Sequence, residues 1–284
     1  MAGKKKKRSG LSGSALLADD RRHILSADSN FFIREAYKTL RTNTMFALAG
    51  QEGCKIILVT SSLQGEGKSI SALNLAISFA EAENRVLLID CDLRRPKLAR
   101  LLRKSSRVGL SNLLLDPSLL GEVLIPGGVD RLDVILSGDI PPNPSELLGS
   151  ARMESLLAHL RKRYDYVILD TPPVNMVTDA VVLASKSDGV LFVVRAGQSE
   201  RGPVTHAVEQ LEYAQAKLLG FVLDDVTTSS GSYGYGKYKR YGYGKYKYQY
   251  HKYSRYGYGR YGYGYGYSSR RNTPDSAQTG DGPS

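Results

Sequence analysis

Short apolar runs recur along the middle of the chain and alternate with helical or turn-rich stretches. Within two of them, Ile56 to Val59 and Val86 to Ile89, every position is apolar, which is typical of parallel strands covered by helices on both faces. The predicted strands are residues 55–60, 85–90, 132–136, 166–170, 189–195 and 218–222. The pattern predicts an α/β fold with a doubly wound, mostly parallel sheet and helices on both faces.

A helical pattern of apolar residues precedes the first predicted strand. Between residues 31 and 49, apolar positions recur at spacings of three and four, which predicts an amphipathic helix. These positions are Ile33, Tyr37, Leu40, Thr44 and Ala47 or Leu48.

The two ends of the chain lack this periodicity. Residues 1–28 are basic and then rich in Ser and Gly, so we expect a flexible N-terminal segment. Residues 229–284 contain no Leu, Ile, Val, Phe or Met, and such a segment cannot bury a core. We therefore expect one folded domain at 29–228, followed by a disordered tail at 229–284.

The tail holds fifteen of the nineteen tyrosines. Tyrosine, glycine, lysine and arginine alternate there, so the hydroxyl groups are dense and accessible to an enzyme. The tail tyrosines are Tyr233, Tyr235, Tyr238, Tyr241, Tyr243, Tyr246, Tyr248, Tyr250, Tyr253, Tyr256, Tyr258, Tyr261, Tyr263, Tyr265 and Tyr267.

The net charge of +11 also belongs to the ends. The tail has ten Lys or Arg against two Asp, and residues 4–8 add five positive charges, whereas residues 11–228 have 24 basic and 26 acidic residues. Basic ends indicate attraction to an anionic partner such as lipid headgroups, nucleic acid or acidic polymer.

Other classes of protein are disfavoured by what the chain contains. Cys54 and Cys91 have no paired spacing, so we expect reduced, structural cysteines of a cytoplasmic protein. We expect no signal peptide, and no run reaches the roughly 20 apolar residues of a membrane span. Membrane contact would then be peripheral or through a partner.

A phosphate-binding loop follows the first predicted strand. Residues 61–69 read Ser-Ser-Leu-Gln-Gly-Glu-Gly-Lys-Ser and lead into a helical pattern, which is the context that a P-loop requires. Lys68 is expected to reach the β- and γ-phosphates and Ser69 a Mg²⁺ ion, while Ser62 stands where the usual pattern has Gly. The nucleotide-binding candidates are Ser62, Gly65, Glu66, Gly67, Lys68, Ser69 and Ile70. A glycine-rich turn that merely contains Lys-Ser is the alternative.

Two predicted strands end in carboxylates, at Asp90 with Asp92 and at Asp170. Open α/β sheets bind ligands at this edge, and Mg²⁺ prefers oxygen ligands. Ser69, Asp92 and Asp170 are therefore the predicted metal ligands. A nucleotide site and a tyrosine-rich tail in one chain suggest transfer of a phosphoryl group to tyrosine. A tyrosine hydroxyl titrates near pH 10, so this transfer benefits from a base that accepts the hydroxyl proton, and Asp90 is the candidate. The alternative is that Asp90 only orients Lys68 or a metal-bound water.

These motifs resemble the bacterial tyrosine autokinases of capsule and exopolysaccharide synthesis, over roughly residues 30–267. The specific marks are the P-loop, the second acidic motif that runs into Leu-Arg-Arg-Pro at 93–96, Pro-Pro-Asn-Pro-Ser-Glu-Leu-Leu at 141–148, Asp-Thr-Pro-Pro at 170–173 and the tyrosine-rich tail.

The resemblance implies ATP and Mg²⁺ as cofactors, with Lys68, Asp90, Asp92 and Arg95 as catalytic residues. It implies phosphorylation of the tail tyrosines between subunits of a ring-like homo-oligomer, an octamer. It also implies three kinds of partner: the cytoplasmic end of a separate transmembrane polysaccharide co-polymerase that activates the kinase, a cognate phosphotyrosine phosphatase, and an acidic membrane surface. The chain would be cytoplasmic and recruited to the inner face of the plasma membrane, without a nucleic-acid partner.

The chain departs from the family pattern at two places. Ring assembly uses a helix with Glu, Arg and Arg at three-residue intervals, and the matching residues are Glu35, Lys38 and Arg41. Lys38 cannot form the bidentate contact of an arginine, and the three residues could instead be ordinary solvated charges. Near the last strand, Asp224 stands where the family commonly has Asn beside the adenine, which leaves the base preference open.

Two other functions remain open from the sequence. A partition-type ATPase shares the P-loop class, but such proteins carry a second lysine where this chain has Leu63. A nucleotide-binding scaffold could use the basic aromatic tail to hold acidic polymer or nucleic acid.

Overall fold

A twisted sheet forms the centre of the computed structural model, which describes residues 21–226. In this part of the chain seven strands lie in the order β3-β4-β2-β5-β1-β6-β7. All neighbours are parallel except β3, which is antiparallel to β4. The strands are β1 (Lys55–Ser61), β2 (Val86–Asp90), β3 (Ile125–Pro126), β4 (Leu132–Ile135), β5 (Tyr166–Asp170), β6 (Gly189–Arg195) and β7 (Leu218–Asp224).

Helices cover both faces of this sheet. They are α1 (Phe31–Ala47), α2 (Lys68–Ala80), α3 (Leu98–Leu102), α4 (Leu110–Leu115), α5 (Leu120–Val123), α6 (Pro144–Gly149), α7 (Ala151–Leu160), α8 (Asp179–Ala184) and α9 (Arg201–Tyr213). A 3-10 turn at Pro117–Leu119 joins α4 to α5.

The strand side chains alternate between two hydrophobic cores. Along β1, Ile56 and Leu58 pack into the core under α7, α8 and α9, whereas Ile57 and Val59 pack against α2. All four are almost completely buried. This confirms the prediction of a doubly wound parallel sheet, because consecutive apolar residues are needed where both faces are covered.

The six predicted strands are present, and β3 is an additional one. It has two residues, and Pro126 pairs with Asp133 only at the edge of the sheet. Proline lacks the N–H donor of a central strand, so its sequence carries no strand signal and the edge is the position it tolerates.

Helix α1 is present as predicted, and the chain before it is also packed on the domain. Leu25 is buried, its N–H donates to Asn74 Oδ1 over 2.8 Å, and Asn74 Nδ2 donates to the carbonyl of His23. The composition of residues 21–28 suggests a flexible segment, whereas the side-chain amide of Asn74 on α2 holds this backbone in place.

Within residues 21–226, none of the helices combines the length and the apolar character that crossing a membrane requires.

Candidate active site

The carboxyl ends of β1, β2 and β5 meet at one edge of the sheet. The register aligns Asp90 of β2 with Asp170 of β5, and Asp170 with Val59 of β1. Strand β1 therefore delivers the P-loop directly beside both acidic strand ends. The crevice outside the carboxyl ends of parallel strands is where open α/β sheets bind their ligands.

Two glycines shape the P-loop. Gly65 and Gly67 have φ angles of +84° and +93°, which disfavour other residues, and Gly67 is the N-cap of α2. A Cβ atom on Gly67 would lie 2.3 Å from Asp224 Oδ2. The 13-residue helix α2 starts at Lys68 and directs its free N–H groups toward the loop. This arrangement can bind phosphate oxygens.

Lys68 lies at the centre of the acidic groups and is almost completely buried. Its Nζ atom is 3.1 Å from Asp92 Oδ2 and 3.8 Å from Asp170 Oδ1. Burial lowers the pKa of Lys68, but the nearby carboxylates of Asp170 and Asp92 outweigh burial, so the pKa is raised above its usual value. The ammonium group is thus held charged where phosphate would bind.

Asp90 is fully buried and accepts two backbone hydrogen bonds. Oδ1 accepts the N–H of Asp92 over 3.2 Å, and Oδ2 accepts the N–H of Leu98 over 3.1 Å. Burial, together with the charge of Asp170, raises the pKa of Asp90 to about 8. Asp90 therefore fixes the turn that follows β2 and also has the pKa of a proton acceptor near neutral pH.

Asp170 is also fully buried, and neither of its carboxylate oxygens has a hydrogen-bond partner within the described residues. Burial raises its pKa, and Lys68 acts in the opposite direction. Its ion-pair partner, the ammonium group of Lys68, lies 3.8 Å away, so a bound cation or ligand would stabilise this buried carboxylate further.

A magnesium ion fits the groups available at this edge. Residues 21–226 contain no cluster of three or more His, Cys, Asp or Glu that could hold a metal by themselves. Mg²⁺ usually binds to one or two carboxylates, water and substrate phosphates, so the incomplete shell of Asp92, Asp170 and the Ser69 hydroxyl is compatible with it.

The two arginines after β2 have different roles. The N–H of Arg95 donates to Asp92 Oδ1 over 3.0 Å, and its exposed side chain reaches Gln64 of the P-loop over 3.1 Å. Arg94, which the sequence did not single out as a site residue, makes two hydrogen bonds of 2.9 and 3.1 Å to the fully buried carboxylate of Asp179. Ser145, from the proline-rich motif at 141–148, donates to the same carboxylate.

Ser62, the residue that departs from the usual P-loop pattern, has a structural partner. Its hydroxyl donates to both carboxylate oxygens of Glu66, over 2.8 and 2.9 Å, and the N–H of Leu63 donates to one of them over 2.7 Å. Ser199 also donates to Glu66. The Ser62 hydroxyl therefore stabilises the P-loop by an internal hydrogen bond to the buried side chain of Glu66.

Arg195 at the end of β6 is a second support of the P-loop that the sequence did not reveal. Its Nη1 atom donates to the carbonyl of Gly65 over 2.7 Å, and its Nη2 atom lies 2.9 Å from Asp225 Oδ2. Of the other nucleotide-binding candidates, Ile70 lies in the first turn of α2 and packs against the core beneath the loop.

The predicted oligomer residues lie on α1. Lys38 Nζ is 2.7 Å from Glu35 Oε1, and Arg41 donates to the carbonyl of Ser78 on α2. The fifteen tail tyrosines lie outside the described residues.

Comparison with known proteins identifies the family. The AAA domain family AAA_31 matches residues 54–218. Tyrosine-protein kinase CpsD of Streptococcus agalactiae is 39% identical over 206 residues, which are 72% of this chain and 89% of that protein. Tyrosine-protein kinase YwqD of Bacillus subtilis is 41% identical over 202 residues, 71% of this chain and 85% of that protein.

The chain belongs to the bacterial tyrosine-protein kinases. A solved structure, the kinase domain of Escherichia coli tyrosine kinase ETK, is 36% identical in sequence and superposes with a TM-score of 0.64. The match covers 72% of this chain and 80% of the ETK chain. The P-loop and the two acidic strand ends are thus parts of a tyrosine-kinase domain with a nucleotide-binding site. Membership of the kinase family favours the kinase function over the two alternatives that the sequence left open, a partition-type ATPase and a nucleotide-binding scaffold.

Proposed function

We propose that this tyrosine kinase transfers the γ-phosphoryl group of ATP to the tyrosines at 233–267 of a neighbouring copy, and that this autophosphorylation regulates polymerisation and export of a capsular or extracellular polysaccharide. The observation that carries the proposal is the juxtaposition of Lys68 with Asp92 and Asp170 at the P-loop, in a chain with fifteen tyrosines in one tail.

Lys68 would contact the β- and γ-phosphates, and the N–H groups at the start of α2 would bind their oxygens. Ser69, Asp92 and Asp170 would hold Mg²⁺, which neutralises charge that develops on the phosphates during transfer. The oxygens of Asp170 support this assignment because they are buried without a hydrogen bond to any residue that the structure describes, and a cation would stabilise them.

Asp90 would accept the proton of the attacking tyrosine hydroxyl. Each carboxylate oxygen has two lone pairs, and the N–H groups of Asp92 and Leu98 occupy one on each oxygen. A proton can thus be accepted without loss of the turn. In Asp90→Asn, retained ATP binding with lost transfer would support a base or positioning role, and full activity would remove Asp90 from the mechanism.

Arg95 would act at the rim of the site, where its guanidinium group holds Gln64 near the phosphate position. Arg95→Lys keeps the charge but loses the guanidinium donor to Gln64, and we expect a higher KM for ATP.

The trans reaction is tested by mixing two full-length variants with MgATP. One is active but has all fifteen tail tyrosines replaced by phenylalanine, and the other carries Asp170→Asn with an intact tail. Phosphotyrosine on the second chain supports transfer between copies. If the Asp170→Asn chain stays unmodified while wild-type protein modifies itself, transfer between copies is wrong.

We further propose a ring-like homo-oligomer, an octamer, that uses Glu35, Lys38 and Arg41. Since Lys38 already pairs with Glu35 on its own helix, the contact between copies would be weaker than one made by arginine. Light scattering of Lys38→Arg should then show a larger oligomer fraction than wild type. An equal fraction in the two proteins would argue against this surface.

The resemblance supports three further partners: the cytoplasmic end of a transmembrane co-polymerase as activator, a phosphotyrosine phosphatase, and an acidic membrane surface. The kinase would thus act in the cytoplasm at the inner face of the membrane. Addition of the activator fragment to purified kinase and MgATP should raise the rate of phosphotyrosine formation.

A further inference from the structure

Positive charge is concentrated in one part of the folded domain. Between Leu93 and Leu115 the chain has seven Lys or Arg and no Asp or Glu, whereas the rest of residues 11–228 has 17 basic and 26 acidic residues. The seven, which we call the basic segment, are Arg94, Arg95, Lys97, Arg100, Arg103, Lys104 and Arg107.

Most of this charge is not neutralised inside the domain. Arg94 pairs with Asp179. Within residues 21–226, no carboxylate lies within ion-pair distance of the side chains of Arg95, Arg100, Arg103, Lys104 and Arg107. All of these except half-buried Lys104 are exposed. Arg21 adds a further cation, because its guanidinium donates to the carbonyl of Arg100 over 3.0 Å.

The basic segment begins at the carboxylates of the active site. The N–H of Arg95 donates to Asp92, and the N–H of Leu98 donates to Asp90. Any group that leaves the crevice on this side therefore meets uncompensated positive charge first.

We propose that the basic segment binds the tyrosine-rich tail of a second copy of this chain after that tail has been phosphorylated. This proposal rests on the proposed function. The proposal extends that function, since the enzyme would distinguish the phosphorylated tail, its product, from the unmodified tail, its substrate, on a surface beside the active site.

Charge complementarity selects the phosphorylated tail over the unmodified one. Residues 229–284 carry ten basic and two acidic residues, so the unmodified tail is repelled by the basic segment. Each phosphotyrosine adds about −1.5 to −2 charge at pH 7, so about five of them cancel the tail's excess and further ones reverse it.

The residue types also suit phosphate. Five of the seven basic residues are arginine, whose planar guanidinium group forms paired hydrogen bonds with phosphate oxygens. A membrane or a nucleic acid would also be attracted, but only the phosphorylated tail is produced at the carboxylates where the segment starts.

Product binding would retain a partly modified tail near the P-loop, so that several tyrosines are modified in one encounter. The first transfer is then the slow one, and later transfers are faster.

The test is a binding measurement that needs no catalysis. Full-length protein is treated with a phosphatase, freed of nucleotide, and titrated with a synthetic peptide of residues 233–250 that carries phosphate on Tyr241, Tyr243, Tyr246 and Tyr248. The same peptide without phosphate is the reference. Five basic residues give the unmodified peptide a charge of about +5, and the four phosphates change it to roughly −1 to −3.

The surface variant is Arg103→Gln, Lys104→Gln, Arg107→Gln. The matched control is Lys162→Gln, Arg163→Gln, Arg201→Gln, which removes three exposed cations elsewhere. We expect the surface variant to bind the phosphopeptide about tenfold more weakly at physiological ionic strength, and the control to stay within about twofold of wild type. Arg107→Glu alone provides a second variant if the triple variant melts at a lower temperature than wild type.

Three results would overturn the proposal. The surface variant could bind the phosphopeptide as tightly as the control does. The unmodified peptide could bind wild type as well as the phosphopeptide. Alternatively, the surface substitutions could abolish binding to phosphatidylserine vesicles or to a single-stranded oligonucleotide and leave the phosphopeptide affinity unchanged, which would assign the surface to that partner.

Catalytic failure gives a different signature. A wild-type chain that never acquires phosphotyrosine with MgATP would refute transfer to the tail while leaving the peptide affinities as measured. Normal phosphorylation with equal affinities for the surface and control variants would refute only the docking. Mass spectrometry adds a kinetic readout, since the surface variant should accumulate singly modified tails where wild type accumulates multiply modified ones.

Discussion

A single methyl group at Gly67 should destabilise the domain and weaken nucleotide binding. The residue has a φ angle of +93°, and a Cβ atom there would lie 2.3 Å from Asp224 Oδ2 and 2.8 Å from Asp224 Cγ. Both contacts are far shorter than van der Waals separation. Alanine at this position therefore has a backbone cost and a steric cost.

The two costs can be separated. A residue with a Cβ in the left-handed region loses about 1–2 kcal/mol relative to glycine. The steric part is about 1 kcal/mol, at the lower end of overpacking penalties, because the Asp224 side chain can rotate while its carbonyl stays bonded to the N–H of Ala196 over 2.9 Å. We expect Gly67→Ala to lower the free energy of unfolding by about 2–3 kcal/mol.

The assay is urea unfolding of the full chain without nucleotide, together with binding of a fluorescent ATP analogue. The double variant Gly67→Ala, Asp224→Ala should recover about 1 kcal/mol, because only the steric cost disappears. Gly202→Ala is the matched control: this exposed glycine is in α9, and nothing lies within 4 Å of a Cβ atom there. It should be neutral or stabilising by about 0.4–1 kcal/mol.

The reasoning is refuted if Gly67→Ala unfolds at the urea concentration of wild type, or if Gly202→Ala is equally destabilising. A double variant no more stable than Gly67→Ala would show that Asp224 does not cause the steric cost.

Three further predictions concern the carboxylates and arginines of the site. Because burial raises the pKa of Asp170, its charge costs stability above the usual titration range of a carboxyl. Asp170→Asn should thus melt at the wild-type temperature or higher and yet form no phosphotyrosine; a clearly lower melting temperature would contradict this. Arg195→Gln loses the donor to the carbonyl of Gly65 and should raise the KM for ATP several-fold with little change in kcat, and a selective fall in kcat would refute that role. Arg94→Met leaves Asp179 buried without its cation and should lower the free energy of unfolding in urea by about 1–3 kcal/mol. The double variant Arg94→Met, Asp179→Asn should restore most of this loss. An undiminished loss in the double variant would rule out the ion pair as the cause.

The parts of the site that the sequence predicts are those fixed by strand order. Asp90 and Asp170 each end an apolar strand, and parallel strands bring such ends to one edge, so their proximity follows from the pattern alone. Lys68 follows from the P-loop spacing in the same way. These groups are brought together by local sequence and a single topological rule.

The side-chain contacts that hold the site residues in place could not be predicted, because the two partners of each contact are distant in sequence. Arg94 and Asp179 are separated by 85 residues, and Ser199 and Glu66 by 133. None of the four lies in a pattern that indicates its partner. Likewise, the packing of residues 21–28 involves the side-chain amide of Asn74, which lies within a helix whose sequence indicates only burial.

From the charges at the site we expect phosphoryl transfer to depend on an incoming cation. Three carboxylates surround one ammonium group, and the pKa of Asp90, at about 8, keeps a large part of that residue protonated at neutral pH. The remaining charges of Asp92 and Asp170 exceed the single charge of Lys68, so a bare triphosphate would meet net repulsion beside the loop. A divalent cation bound with the nucleotide would reverse this balance and would also lower the pKa of Asp90 toward the ionised form that can accept a proton. The group that accepts the proton would thus become competent when the phosphate donor is in place.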